Sequence, residues 1–210
     1  MTQLRVTSER LSNVAMGLSV VFSGFMGMAQ TGSSDRWTIV RVSCAVLNLV
    51  VGSLFLFRSR PKREAPWSMI ACCLPSVLIG GLAFRITPAP HAWPLGAQLL
   101  FAAAALLVVT SFVHLGTSFA VLPAIRRVIV HGPYRVIRHP AYLGELLLTV
   151  ACLYANVVAT REPLMPTTIL LVCFVTVVLR IRVEERFLLQ SADYRQYVMR
   201  TAWRLFPRIW

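Results

Sequence analysis

The chain is a succession of long uncharged stretches separated by short charged ones. No Asp, Glu, Lys or Arg falls within residues 11–34, 42–57, 65–84, 86–125, 146–160 or 163–179. A helix that crosses hydrocarbon needs about 20 mostly apolar residues. Each of the first three stretches supplies one such span. The fourth is far longer than one crossing, and its pattern places a span over 95–115 with a half-buried segment after it. With spans centred near residues 20, 48, 75, 105, 151 and 172, the chain reads as an all-α, polytopic transmembrane helical bundle of about six spans. A single tight hairpin with tilted arms at the last two makes five the alternative. Pro61, Pro66, Pro88, Pro90 and Pro94 fall between spans, where breakers belong, and Pro75 predicts a kink in the third.

The texture changes part-way along. Residues 1–94 read as three plain spans with short loops, and polar residues within them, such as Asn48 and Ser76, read as hydrogen-bonding contacts between helices. Residues 95–210 carry whatever chemistry there is. The stretch 115–140, LGTSFAVLPAIRRVIVHGPYRVIRHP, mixes apolar residues with Gly, Pro, aromatics and four arginines. Irregular backbone near a membrane is tolerated where it is buried in protein or lines a watery cavity. Pro140 predicts the start of a helix running through 141–154. From 181 to 210, arginines alternate with Phe187, Leu188, Tyr194, Tyr197, Val198, Trp203, Leu205 and Phe206. That spacing predicts an amphipathic interfacial helix along the cytoplasmic face.

Composition agrees with the pattern: 57% of the residues are apolar and 14% charged, against about 25% charged in soluble domains. The net charge of +13 would draw nucleic acid if it were spread over a surface, but its placement is topological. With the N-terminus cytoplasmic, the cytoplasmic segments hold Arg5 and Arg10, then Arg58, Arg60, Lys62 and Arg63, then Arg126, Arg127, Arg135 and Arg138, and finally seven arginines from Arg180 to Arg208. Only Arg36, Arg41, Arg85 and Arg161 remain for the other side. This asymmetry is the positive-inside signature. It puts both termini in the cytoplasm, makes membrane lipid the natural partner of the charge, and argues against a nucleic-acid role. Arg5 and Arg10 before a run ending Gly27-Met28-Ala29 resemble a signal peptide, but an uncleaved first span gives the even count that the asymmetry needs. The cysteines Cys44, Cys72, Cys73, Cys152 and Cys173 lie inside apolar runs without CxxC spacing, so they read as packing residues, with no metal site.

Two polar clusters stand out. The first, residues 132–144 (GPYRVIRHPAYLG), joins cations, hydrogen-bonding aromatics, a turn and a helix start. A helix N-terminus offers free N–H groups to an anion such as an amino-acid carboxylate. The second, residues 180–186 (RIRVEER), ends the last span, and there Arg180 and Glu184 share a helix face. Ionisable residues at membrane depth are functional candidates by default. Against that, Arg182, Arg186 and Arg195 read as interfacial anchors, and His114 as a satisfied core histidine. Glu145 is the acidic residue just inside the fifth span, where a hydrated position and a functional one are both open.

The string G-P-Y-R-x-x-R-H-P-x-Y-x-G, followed some forty residues later by R-x-R-x-E-E and then Y-x-x-Y, resembles the isoprenylcysteine carboxyl methyltransferase family. More loosely it is similar to the membrane phospholipid methyltransferases. The resemblance covers about 112–208. It implies a cytosol-facing pocket for S-adenosyl-L-methionine and a lipid-facing tunnel for the acceptor's tail. Carried over position by position, it implies that Tyr134, His139, Pro140, Ala141 and Tyr142 bind the cofactor, together with Arg126, Arg127, Val128 and Ile129. Glu184 matches the acidic cofactor contact and Arg180 the arginine that holds the acceptor's carboxylate, so both are expected to be catalytic. Phe119 departs from the family, standing where eukaryotic members have glutamine, and the interval from Glu185 to Tyr194 is about two residues short.

The chemistry suits these groups. Methyl transfer from a sulfonium is an in-line displacement, governed by positioning and desolvation. An ionised carboxylate acceptor needs a cation rather than a base, and Arg180 offers a bidentate one. A phospholipid amine would instead need a base, with Glu145 or Glu185 as the candidates. With no GxGxxG and no βαβ pattern, a cofactor site here has to be built from helix ends and loops. A non-catalytic transporter or scaffold would show an internal repeat of spans, and none is found. The expected function is methyl transfer to a lipophilic, isoprenylcysteine-like acceptor, with phospholipid N-methylation as the rival.

Overall fold

A computed structural model describes residues 2–29, 37–59, 63–119 and 124–210, apart from the side chains of residues 2–12 and of Glu64, Trp67, Ile70 and Val77. Of the basic residues in the charge asymmetry, Arg36, Arg60 and Lys62 lie outside the described residues, as do Pro61 and the side chains of Arg5 and Arg10.

Among the described residues, six long helices occupy the six uncharged stretches: α1 (Thr2–Ala29), α2 (Ile39–Phe57), α3 (Trp67–Arg85), α4 (Leu95–Leu115), α5 (Pro140–Thr160) and α6 (Leu164–Leu188). A short helix, α7 (Ala192–Arg200), follows. Two-residue strands, β1 (Arg63–Glu64) and β2 (Ala124–Ile125), pair antiparallel and tie the loop after α2 to the segment after α4. The architecture is an all-α membrane bundle. α2, α4, α5 and α6 are long and apolar enough to cross a bilayer, while α1 and α3 contribute the shorter apolar stretches Asn13–Ala29 and Ala71–Arg85.

The boundaries have local causes. Thr38 caps α2 by accepting the Arg41 N–H, as small hydroxyl residues do at helix starts. Pro140 opens α5 at a position where its missing N–H is not needed. Arg161 closes α5 in the left-handed region, φ 60°, and its N–H returns to the Val157 carbonyl. Only residues 161–163 separate α5 from α6, which makes a tight hairpin, but its arms are complete helices of 21 and 25 residues.

Small residues set the helix spacing. A Cβ on Gly144 would stand 2.4 Å from the Val108 side chain and 3.2 Å from the Ala104 carbonyl, so α4 and α5 meet backbone to backbone. The core runs through Val40, Ala83, Trp93, Ala97, Phe101 and Ala151. There Trp93 and Phe101 meet edge to face, with ring centroids 5.6 Å apart. Large apolar side chains such as Leu18, Phe22, Leu49, Leu78, Leu99 and Leu171 are exposed around the outside, where hydrocarbon would meet them. Ser76 links helices as expected: its hydroxyl donates to the Cys73 carbonyl and accepts from Arg180 of α6.

The tail differs from the expectation of one amphipathic helix over 181–210. Residues 181–188 continue α6 instead, because Ile181 and Phe187 remain buried on its inner face. The amphipathic helix is the nine-residue α7, which buries Tyr194 and Tyr197. Beyond it the chain turns back under the bundle and buries Leu205 beside Val177 and Ile181. The Trp203 and Arg204 carbonyls accept the Arg138 and His139 N–H groups, both at 2.9 Å.

Candidate functional site

At the end of the bundle where α4 and α6 finish and α5 begins, the chain takes a series of turns that helical sequence would not permit. Gly132 opens a 3₁₀ turn, Gly132–Arg135, at φ 61°. A Cβ there would lie 2.2 Å from the His114 ring, so the turn needs glycine both for its backbone angle and for its fit against α4. His114 is otherwise satisfied, with Nδ1 2.7 Å from the Thr110 carbonyl oxygen.

These turns enclose a cavity. α4 gives it Phe112 and Leu115, and the connecting segment gives Ser118, Ala124, Arg126, Arg127, Val128 and Ile129. Tyr134, Arg138 and His139 follow, then Ala141 and Tyr142 from the first turn of α5, Glu184 and Leu188 from α6, and Tyr194 and Tyr197 from α7. Of the residues that the motifs nominate for the cofactor, Arg126, Arg127, Val128, Ile129, Tyr134, His139, Ala141, Tyr142 and Glu184 meet here. Pro140 does not line the cavity; it is buried as the first residue of α5.

The polar groups are held firmly. The Tyr142 hydroxyl donates to the Glu184 carboxylate. The His139 ring stacks on the Tyr142 ring, centroids 5.4 Å apart and planes within 3°. The Tyr197 hydroxyl donates to the Tyr134 carbonyl at 2.7 Å. Burial, more than neighbouring charge, pushes the phenols of Tyr134, Tyr194 and Tyr197 above their ordinary range, so all three stay neutral. The Tyr194 hydroxyl is buried with no hydrogen-bond partner among the described residues. Orphaned buried hydroxyls are costly, and this one belongs to a residue that lines the cavity. In the sequence Tyr194 and Tyr197 belong to the apolar face of the tail and to the Y-x-x-Y motif, and that i, i+3 spacing is the signal that brings both to one side of α7.

Glu185, next in sequence to Glu184, faces a different direction. Its carboxylate takes Arg138 Nη1 at 2.8 Å, His139 Nε2 at 3.1 Å and Arg204 Nε at 2.7 Å. It therefore ties the C-terminal tail to the start of α5 and does not line this cavity. Arg182, Arg186 and Arg195 are exposed.

Arg180 lies one turn before Glu184 but does not line this cavity. It is 2% exposed and is occupied by its neighbours. Nη1 donates to Ser76 Oγ at 3.1 Å and lies 3.7 Å from Glu145 Oε2, while the guanidinium sits 4.5 Å from the Tyr142 ring centroid. On its far side a second cavity of about 250 Å³ opens among α3, α4, α5 and α6, far larger than the roughly 10–15 Å³ that one water needs. Ser76, Gly80, Phe84, Phe101, Glu145, Leu148, Thr149 and Val177 are among its walls. Arg180 and Tyr142 thus form a partition between the cavity at the end of the bundle and a more apolar one deeper among the helices.

Residues 94–193 match the phospholipid methyltransferase family. The matched stretch runs from the start of α4 into α7 and contains every wall residue of the first cavity except Tyr194 and Tyr197. Of the two resemblances read from the motifs, this is the broader one. No curated protein matches the chain. This part of the chain, which holds both polar clusters, is therefore similar to membrane methyltransferases that act on lipid-type substrates.

Proposed function

We propose that the chain transfers a methyl group from S-adenosyl-L-methionine, held in the first cavity, to the amine headgroup of a lipid that enters the second. The observation that carries the amine is the arrangement at the partition: Glu145 lines the membrane-depth cavity, and Arg180 does not. An amine arriving there meets a carboxylate. A carboxylate arriving there meets an arginine whose charge is already opposed by Glu145 at 3.7 Å.

The residues of the first cavity fit the cofactor by their chemistry. Glu184 offers an anion to an ammonium or sulfonium. Arg126 and Arg127 offer cations to a carboxylate. Phe112, Leu115, Tyr134 and Leu188 offer a wall for a flat base, and Tyr194 offers an unused hydroxyl. Bound there, S-adenosyl-L-methionine supplies a methyl group on a positively charged sulfur. The protein's part is placement: His139 stacks against Tyr142, Tyr142 fixes Glu184, and Pro140 sets where α5 begins. Desolvation at the partition removes the water that would otherwise shield the reacting atoms.

The second reading is carboxyl O-methylation of an isoprenylcysteine-like acceptor, which the planar fork of Arg180 favours. It requires the acceptor's carboxylate to displace Glu145. The cavity end of the bundle also collects Arg58, Arg63, Arg126, Arg127, Arg135 and Arg138, so we place that end, and both termini, in the cytoplasm. Residues 95–210 are then the catalytic part and residues 1–94 the accompanying spans. The deciding experiment supplies labelled cofactor with amine and carboxylate lipids and treats the product with alkali. Label that survives is N-methyl, and label released as methanol is an ester.

A further inference from the structure

We infer that Glu145 is the catalytic base of this enzyme, taking the proton from the ammonium group of the lipid before the methyl group is transferred. The inference rests on the amine reading above and adds the residue that such a reading requires. An alkylammonium loses its proton near pH 10, as lysine does, so at neutral pH its nitrogen has no lone pair to offer. A group in the acceptor cavity must remove the proton.

The structure leaves one acid for that task among the described residues. Glu185 is held by Arg138, His139 and Arg204 and lines neither of the two cavities. Glu184 accepts the Tyr142 hydroxyl and faces the first cavity. Glu162 lies in the α5–α6 turn at the opposite end of the bundle, and Asp193 is exposed on α7. Glu145 lines the second cavity and its side chain is 35% exposed, so a headgroup can reach it. It stands three residues after Tyr142 on α5, and side chains so spaced share a helix face. The base is therefore one turn deeper than the cofactor wall, with Arg180 touching both positions. Arg180 also makes a carboxylate tenable at this depth, since a buried anion needs a partner.

The step balances. One N–H bond of the ammonium breaks and its proton moves to a Glu145 oxygen. The freed nitrogen pair forms the new N–C bond as the C–S bond of the cofactor breaks, and that bond's electron pair stays on sulfur. The product is a methylated ammonium, and Glu145 returns its proton to water. The groups facing Glu145 are Arg180, Glu184 and Cys173 of α6 and Tyr142 and Cys152 of its own helix; α3 and α4 bring Ser76, Phe84 and Phe101.

The test compares the parent, E145Q and E145D in detergent micelles with dioleoyl-phosphatidylethanolamine. General-base catalysis is worth typically about 10²–10⁴-fold, so E145Q should lose at least a hundredfold in turnover at pH 7. It should recover part of that towards pH 9.5, as the headgroup deprotonates by itself. Its affinity for S-adenosylhomocysteine should stay at the parent's value. Without cofactor, the parent should bind the amine lipid several-fold more tightly than E145Q does. Turnover in E145Q within threefold of the parent, with an unchanged pH profile, overturns the inference. If E145Q fails to bind S-adenosylhomocysteine, E145D decides: a tenfold or greater loss with normal S-adenosylhomocysteine affinity upholds it, and parent-like turnover overturns it. Alkali-labile product from the parent itself would overturn the amine reading and this inference together, and that result is visible without any variant.

Discussion

Replacing Glu185 with glutamine tests how the site is held. The carboxylate and its Arg138 partner are each about 5% exposed, 2.8 Å apart. Removing one member of a buried pair costs about 3–5 kcal/mol, because the other charge remains buried and uncompensated. The Arg204 contact, on a side chain 37% exposed, adds under about 1 kcal/mol. Glutamine keeps an acceptor oxygen, so about 3 kcal/mol is expected, and at this chain length that lowers the melting temperature by roughly 6–12 °C. The loss should be read by thermal unfolding in detergent, followed by tryptophan emission, since Trp203 and Trp210 lie in the tail that Glu185 anchors. The double variant E185Q/R138M removes the stranded cation and should regain part of the loss. An E185Q protein melting within about 2 °C of the parent, or an R138M change that merely adds to the loss, would refute the reasoning.

Tyr194→Phe should have opposite signs in two assays. It relieves an orphaned buried hydroxyl, raising stability by roughly 1 kcal/mol, and it weakens S-adenosylhomocysteine binding about tenfold by calorimetry. His139→Ala and Glu184→Ala should each weaken that binding by roughly ten- to a hundredfold, the effect of losing a charge-assisted or hydrogen-bonded contact; parent-like affinity in both would put the cofactor elsewhere. Arg180→Lys keeps the charge beside Glu145 but loses the planar fork. Turnover on an amine lipid should therefore stay within about tenfold of the parent, whereas a carboxylate acceptor would lose far more. A reporter fused after Trp210 should read as cytoplasmic.

The spans were legible because charge is excluded from hydrocarbon over whole stretches. The bounds of α4 follow from Pro94 before it and the Gly116 turn after it. The tail was less legible. Nothing between Arg180 and Leu189 breaks a helix, so burial of Ile181 and Phe187, which local spacing does not reveal, decides that α6 continues. Most of the residues expected to hold the cofactor line one cavity because they are close in sequence and share turns and helix starts. Arg180 shows where that approach stops. Its spacing, one turn before Glu184, puts the two on one helix face. Its actual position is set by Ser76 on α3 and Glu145 on α5, and sequence separation hides both. Glu145, poised between hydrated and functional readings in the sequence, lines a cavity that exists only once four helices have packed.

The partition formed by Arg180 and Tyr142 also bears on the order of events in a catalytic cycle. In the proposed reaction a water-soluble donor and a bilayer-dissolved acceptor approach it from opposite sides, so neither has to wait for the other to vacate a shared entrance. Double-reciprocal plots at varied concentrations of both should intersect rather than run parallel. The spent donor should compete with fresh donor but leave acceptor affinity untouched. Thickening the bilayer or changing its acyl chains should shift the Michaelis constant of the lipid alone.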